Sequence, residues 1–404
     1  MSPPAARGSD AARGSAPGAS DPLARWHDGD LSEVVAQASI IVCTGAGGVG
    51  KTTMAASLAL GAAARGRKTV VLTIDPARRL AQSLGLDAMS EEARAVPGAT
   101  GLDAMMLDMR RTFDGLIDRH APDPERAERI KANRFYQQLA SSLAGTQEYM
   151  AMEKLYELHE HGRYDCIVID TPPTRSALDF LDAPRRLTDF LEGRFLRMFL
   201  APGMRAGKQV GRAVGWGSGL FMRAASRITG AGVLEDLGDF FQSFEGMYEG
   251  FKERAGEVYR LLASQGSAFV VVASPEPPAL REARYFLHRL EQDGMPTAGL
   301  VVNRLTPPPD PALADLTPEA ARAAAGRLTT GDAEDRAVAA LLELHADRWE
   351  LAARERRDVA AALQGTTPGR LLEVPRLRPE VHDLEALGEV GARLHGDDPP
   401  DARA

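Results

Sequence analysis

Cysteine is nearly missing from this chain, with only Cys43 and Cys166 in 404 residues. Two thiols cannot build a disulfide framework. Both sit in short β-branched runs that read as buried strands, and a zinc site would need ligands that the chain does not cluster. The eight histidines show no metal-ligand spacing, and His159 and His161 read as solvated residues near a helix end. Long apolar runs are missing too, none approaching the roughly 18 residues needed to span a bilayer. Nor is there a surplus of positive charge. The 48 basic and 56 acidic side chains leave a net charge of −8, which gives no support to a nucleic-acid-coating role. Met1 to Ser20 has no apolar core segment, so it does not read as a secretory signal, and a cytoplasmic protein is the expectation.

What is present is ordinary for a globular protein: 44% of residues are hydrophobic, which rules out disorder along most of the length. At about 150 residues per domain the chain could hold two or three domains, yet a large sheet covered by helices on both faces absorbs it as one. Residues 1–30 and 395–404 read as disordered tails around a single domain spanning 31–394. The expected first strand is Ser39–Thr44, followed by a glycine-rich turn, a helix from Lys51 to Ala64 and a strand from Lys68 to Asp75. This β-loop-α-β order is that of a parallel pair joined by a crossover. Further strands are expected at Ala104–Leu107, Cys166–Asp170, Ala268–Ala273 and Ala298–Asn303. Their apolar residues run continuously instead of alternating, as strands covered on both faces should. Helical periodicity fills Thr146–His161, Pro278–Gln292 and Glu334–Leu363. The fold class is therefore α/β, a doubly wound, mostly parallel sheet, with helical insertions at about 113–162 and 184–266. The second insertion is rich in Phe and Met, among them Phe190, Phe195, Met198, Phe221, Met222 and Phe240. Such side chains suit either an adaptable apolar groove for a protein client or the plain core of a helical subdomain.

The segment Gly45-Ala46-Gly47-Gly48-Val49-Gly50-Lys51-Thr52-Thr53 matches G-x-x-x-x-G-K-[ST] between a strand and a helix. Glycines there let the backbone wrap so that successive N–H groups face phosphates, and the helix N-terminus adds its dipole. Lys51 would place positive charge on the β- and γ-phosphates and the Thr52 hydroxyl would ligate Mg²⁺. Asp75 and Asp170 each end a strand, where parallel sheets open their ligand crevice. Asp170, preceded by four apolar residues, is the candidate to hold Mg²⁺ through water. Asp75 either orients the attacking water or simply caps the following turn.

Gly47–Thr53, Asp75-Pro76-Ala77 and Asp170-Thr171-Pro172-Pro173-Thr174 resemble the P-loop, switch I and switch II of the ArsA/Get3 family of deviant-Walker-A ATPases. The resemblance runs from about Ile40 to Leu387. It implies a P-loop NTPase fold of the SIMIBI type, a dimeric ATPase using ATP and Mg²⁺, and coupling of nucleotide state to a protein or membrane-associated partner. It makes Asp75 and Lys51 catalytic, and Gly45, Gly47, Gly48, Val49, Gly50, Lys51, Thr52 and Thr53 the phosphate site. Thr52 and Asp170 become the metal residues. Asn303 matches the adenine-binding Asn, and Val374-Pro375-Arg376 resembles the loop on the adenine, placing Pro375 against the base. The Phe/Met-rich insertion stands where this family builds client-binding helices.

The chain also departs from the family. The signature lysine at the second position of the glycine motif is Ala46 here. In these ATPases that lysine acts across a face-to-face dimer, and a methyl group cannot stabilise charge on phosphoryl oxygens. A homodimer should therefore hydrolyse ATP weakly, and a heterodimer with a lysine-bearing paralogue is expected, unless a local cation such as Arg78 or Arg79 substitutes. A nucleotide-binding regulatory subunit with little turnover is the alternative. A nucleotide kinase or amide ligase is disfavoured, since neither chemistry gives the insertion or the Asp-Pro-Ala segment a role. No Cys-x-x-Cys pair is present to staple a dimer through zinc, and two strand thiols cannot form a soft metalloid site.

Overall fold

The computed structural model describes residues 29–74, 79–133, 136–137, 146–171, 248–329, 331–366, 369–377 and 381–396. Asp75 to Arg78, Pro172 to Thr174 and most of the Phe/Met-rich insertion lie outside them.

Among the described residues eight strands form one sheet. They are β1 (Ile40–Gly45), β2 (Thr69–Thr73), β3 (Arg94–Ala95), β4 (Leu102–Met106), β5 (Cys166–Asp170), β6 (Ser267–Ala273), β7 (Thr297–Leu305) and β8 (Leu371–Pro375). Their spatial order is β3-β4-β2-β5-β1-β6-β7-β8. Every neighbouring pair is parallel except β3 with β4. Parallel neighbours need long crossovers, and helices supply them on both faces. The alternation of side chains along each strand sends Ile40, Val42, Ile167, Ile169, Phe269 and Val271 into one core. Ile41, Cys43, Cys166, Val168, Val270 and Val272 enter the other. This double burial explains why the strands are apolar throughout.

Helix α1 (Ser32–Gln37) leads into β1, and α2 (Lys51–Ala64) follows the glycine loop. Residues Met54 to Ala59 of α2 are all buried, because the helix lies between the sheet and α11 (Leu384–Leu394). Small residues permit this close approach: a Cβ on Gly61 would meet the His395 ring at 2.1 Å. His395 is itself buried, so the chain remains packed one residue into the expected C-terminal tail. Helices α3 (Arg79–Ser83), α4 (Met109–His120), α5 (Pro124–Ala132) and α6 (Thr146–Glu160) precede β5. The Asp108 and Asp123 side chains cap α4 and α5 by accepting from Arg111 N and Arg126 N. After the second insertion come α7 (Tyr248–Leu262), α8 (Pro277–Gln292), α9 (Pro318–Leu328) and the 30-residue α10 (Ala333–Ala362).

Three elements differ from the sequence reading. Val374-Pro375 is strand, not loop: Leu371–Pro375 pairs along β7. Proline is tolerated there because it ends an edge strand, where its missing N–H breaks no ladder bond. Strand β7 runs on past Asn303 to Leu305, with a register shift between those two residues. The short β3 was not expected at all, since two exposed residues carry no periodicity.

Candidate functional site

All the parallel strands end on the same side, and the glycine loop lies there between β1 and α2. Its conformation is one that only glycine takes comfortably. Gly45, Gly48 and Gly50 have φ of 149°, 77° and 101°. Space is equally restrictive at two of them. A Cβ at Gly45 would sit 2.0 Å from the Val272 carbonyl oxygen, and one at Gly50 would sit 2.3 Å from Asn303 Nδ2. Lys51, the first residue of α2, is buried and its Nζ reaches back over the loop to donate to the Ala46 carbonyl at 2.8 Å. Ala46, at the signature position, is itself buried.

Asp170 ends β5 and is level with Cys43 of β1 and Thr73 of β2. Only 1% of it is exposed, and Thr73 Oγ1 donates to its Oδ2 at 3.1 Å. The next residue, Thr171, turns its hydroxyl back to donate to the Cys43 carbonyl at 2.7 Å. The residue that follows β5 is thereby tied to the strand that feeds the glycine loop.

A cavity of about 750 Å³ opens beside these groups. Gly48, Gly50, Lys51, Thr52 and Thr53 line one part, with Arg79 and Ser83 of α3, Thr171, and Glu276. Asn303, Arg304, Pro375, Arg376 and Leu377 line another, closed by Val381, His382 and Val390. The structure thus brings the phosphate-loop residues, Asn303 and Pro375 to one cavity from positions far apart in sequence. Gly45, Gly47 and Val49 belong to the loop without lining the space, and Asp170 does not line it either. Asp75 lies outside the described residues. Of the two arginines considered as local cations, Arg79 lines the cavity and Arg78 lies outside the described residues.

Sequence reasoning missed Arg304. It directly follows Asn303, but nothing in its identity announces that its φ is 64° or that its Nη1 donates to Gly48 O at 3.0 Å. Burial raises both thiols: Cys43 well above the ordinary thiol range and Cys166 to about 11. Both are fully enclosed in the sheet. Glu282 is also pushed up by burial, with Lys51 pulling it down.

A glycine phosphate loop joining the first strand of a parallel sheet to a helix, with strand-end carboxylate and hydroxyls beside it, defines a P-loop NTPase. The family model of the anion-transporting ATPases matches residues 38–316, and the chain belongs to that family. It is 29% identical to the ATPase get3 of Aspergillus terreus over 294 residues, 70% of this chain and 80% of that protein. With the ATPase GET3 of Malassezia globosa it shares 28% identity over 281 residues, 69% of this chain and 77% of the relative. The corresponding values for the ATPase get3 of Schizosaccharomyces pombe are 26% over 292 residues, 70% and 78%. The family match ends before α9, so α9, α10, β8 and Pro375 lie beyond it. Among the described residues no helix is long and apolar enough to cross a membrane.

Proposed function

We propose that the chain binds Mg-ATP in the 750 Å³ cavity and hydrolyses it as a dimeric switch ATPase, coupling nucleotide state to a protein or membrane-associated partner. The observation that carries this reading is the convergence of Lys51 and Thr52 with Asn303 and Pro375 on that single space. The residues present fit such an occupant. Three positive-φ glycines curl the loop, and the buried Lys51 ammonium donates to the Ala46 carbonyl at 2.8 Å. A buried carboxylate stands at the adjacent strand end. Bound Mg-ATP would supply a phosphoanhydride open to attack by water at its terminal phosphorus.

The chain's own groups then divide the work. Lys51 and the amides of Gly45 to Thr53 would balance the phosphate charge, and the Thr52 hydroxyl would hold the magnesium. Asp170, oriented by Thr73, would help hold the magnesium through water. Asp75, two residues past β2, orients the attacking water. Asn303 offers its amide to the purine edge and Pro375 packs on the base. Thr171, tied to Cys43, begins the segment that would relax once the γ-phosphate leaves.

Ala46 sets the rate. Without an in-trans lysine a homodimer turns over weakly, and a paralogue carrying that lysine completes this chain's site in a heterodimer. Arg79, which lines the cavity, could compensate locally. Ala46 also supports a second reading, a nucleotide-bound regulatory subunit for which turnover matters little. The Phe and Met residues of 184–266 suit a hydrophobic protein client.

Titration with Mg-ATP tests the site and phosphate release tests the chemistry. Lys51→Ala should abolish tight binding, whereas Asp75→Asn should keep binding and lose turnover. Parental turnover by Asp75→Asn would remove Asp75 from the mechanism. A rate unchanged by a lysine-bearing paralogue would favour the regulatory reading.

A further inference from the structure

Arg304 is the only non-glycine residue with positive φ among the described residues. Arginine has no intrinsic liking for φ of 64°, and such a conformation persists only where the surroundings over-determine it. Here they do. The register of β7 against β8 shifts between Asn303 and Leu305, so the backbone turns at Arg304 and swings its side chain to the glycine loop. The Arg304 N–H donates to Asn303 Oδ1 at 3.0 Å, which fixes the amide so that Nδ2 faces the loop.

The two neighbours then grip two successive loop carbonyls. Asn303 Nδ2 donates to Val49 O at 2.9 Å and Arg304 Nη1 to Gly48 O at 3.0 Å. In a trans peptide the C=O and N–H of one unit point in opposite directions. Holding the Gly48 and Val49 carbonyls towards β7 therefore turns the N–H groups of Val49 and Gly50 the other way. Positive φ at Gly48 and Gly50 with a non-positive φ at Val49 between them is the alternation that makes such N–H groups converge into an anion cradle. Gly50 has a second reason to be glycine, since a Cβ would take the place of Asn303 Nδ2.

We propose that Asn303 and Arg304 form a two-point brace that presets the phosphate cradle, with Arg304 a positioning residue acting through the Gly48 carbonyl. The brace does not cost Asn303 its base-reading capacity: one amide N–H and one Oδ1 lone pair stay available to a purine edge. This deepens the Mg-ATP reading and rests on it for the ligand.

The test uses the full chain, Arg304→Gly and Arg304→Lys. Glycine adopts φ of 64° freely, so Arg304→Gly should melt no lower than the parent without nucleotide. Deuterium uptake of nucleotide-free protein should rise several-fold in the peptide covering 45–54 and stay unchanged in β6. Mg-ATP affinity should fall about tenfold, equivalent to about 1.4 kcal/mol. Arg304→Lys, which keeps one charged donor, should recover most of both effects. Unchanged uptake at 45–54 in Arg304→Gly overturns the brace whatever the nucleotide does. Loss without rescue by lysine overturns it as well. A parent chain that binds no Mg-ATP, yet shows the uptake change and its rescue, leaves the brace standing and removes the nucleotide reading instead.

Discussion

Replacing Gly50 with alanine should cost far more than the same change two residues earlier, and the structure says why. Both glycines have positive φ, 101° at Gly50 and 77° at Gly48, so an L-residue at either pays about 1–2 kcal/mol in backbone strain. At Gly48 nothing lies within 4 Å of an added Cβ, and the cost ends there. At Gly50 the methyl would stand 2.3 Å from Asn303 Nδ2 and displace it from the Val49 carbonyl. Asn303 is only 8% exposed, so losing that bond strands a buried polar group, worth about 1–3 kcal/mol more. With a urea slope of about 3 kcal/mol/M, Gly50→Ala should unfold at a midpoint about 0.3–1 M below Gly48→Ala. In an Asn303→Ala background the gap between the two should close, because the group being struck is gone. Equal midpoints for the two single variants, or a gap that survives Asn303→Ala, would refute the account of Asn303.

Two further outcomes follow from burial. Arg254 of α7 bonds Glu153 of α6 at 3.1 Å and stacks over Tyr156 at 3.7 Å, while Arg119 of α4 reaches Glu153 at 3.3 Å. Burial raises the Glu153 carboxyl above its usual range despite the pull of Arg254, so the pair is expensive to keep and more expensive to break. Glu153→Leu should cost about 2–4 kcal/mol in urea unfolding, with Glu160 still partnering Arg254, and adding Arg254→Met should recover more than half of it. Cys43 and Cys166 are enclosed and both thiols are raised, Cys166 to about 11, so a thiol reagent at pH 8 should label neither in the native protein and both in urea.

Much of the glycine loop was legible because it is made of contiguous backbone. A loop that cradles anions with its own N–H groups needs glycines at fixed spacing, and Gly45 to Thr53 carry that spacing on their face. Helix α2 was bounded correctly at Lys51 and Ala64, and β5 at Cys166 and Asp170, since a glycine turn and a terminal carboxylate punctuate them. The continuous apolar runs announced a sheet covered on both sides. Elsewhere the local signal was weak. Val374-Pro375 was placed in a loop by family resemblance, and its proline gives no strand signal until the edge position is known. His395 read as tail because its burial depends on Gly61, more than three hundred residues earlier in the chain.

From the chain alone came the glycine loop between strand and helix, the position of Asp170 at a strand end and Ala46 within the loop. These are properties of short segments, governed by nearest-neighbour geometry and side-chain chemistry. Tertiary structure alone decided that Asn303 and Arg304 hold the carbonyls of Val49 and Gly48, partners 254 and 256 residues away. It likewise decided that Lys51 folds back on Ala46 and that Pro375 closes the same cavity. A side chain's partner across a parallel sheet is set by strand order and register, and those emerge only when two cores form at once on opposite faces of the same strands.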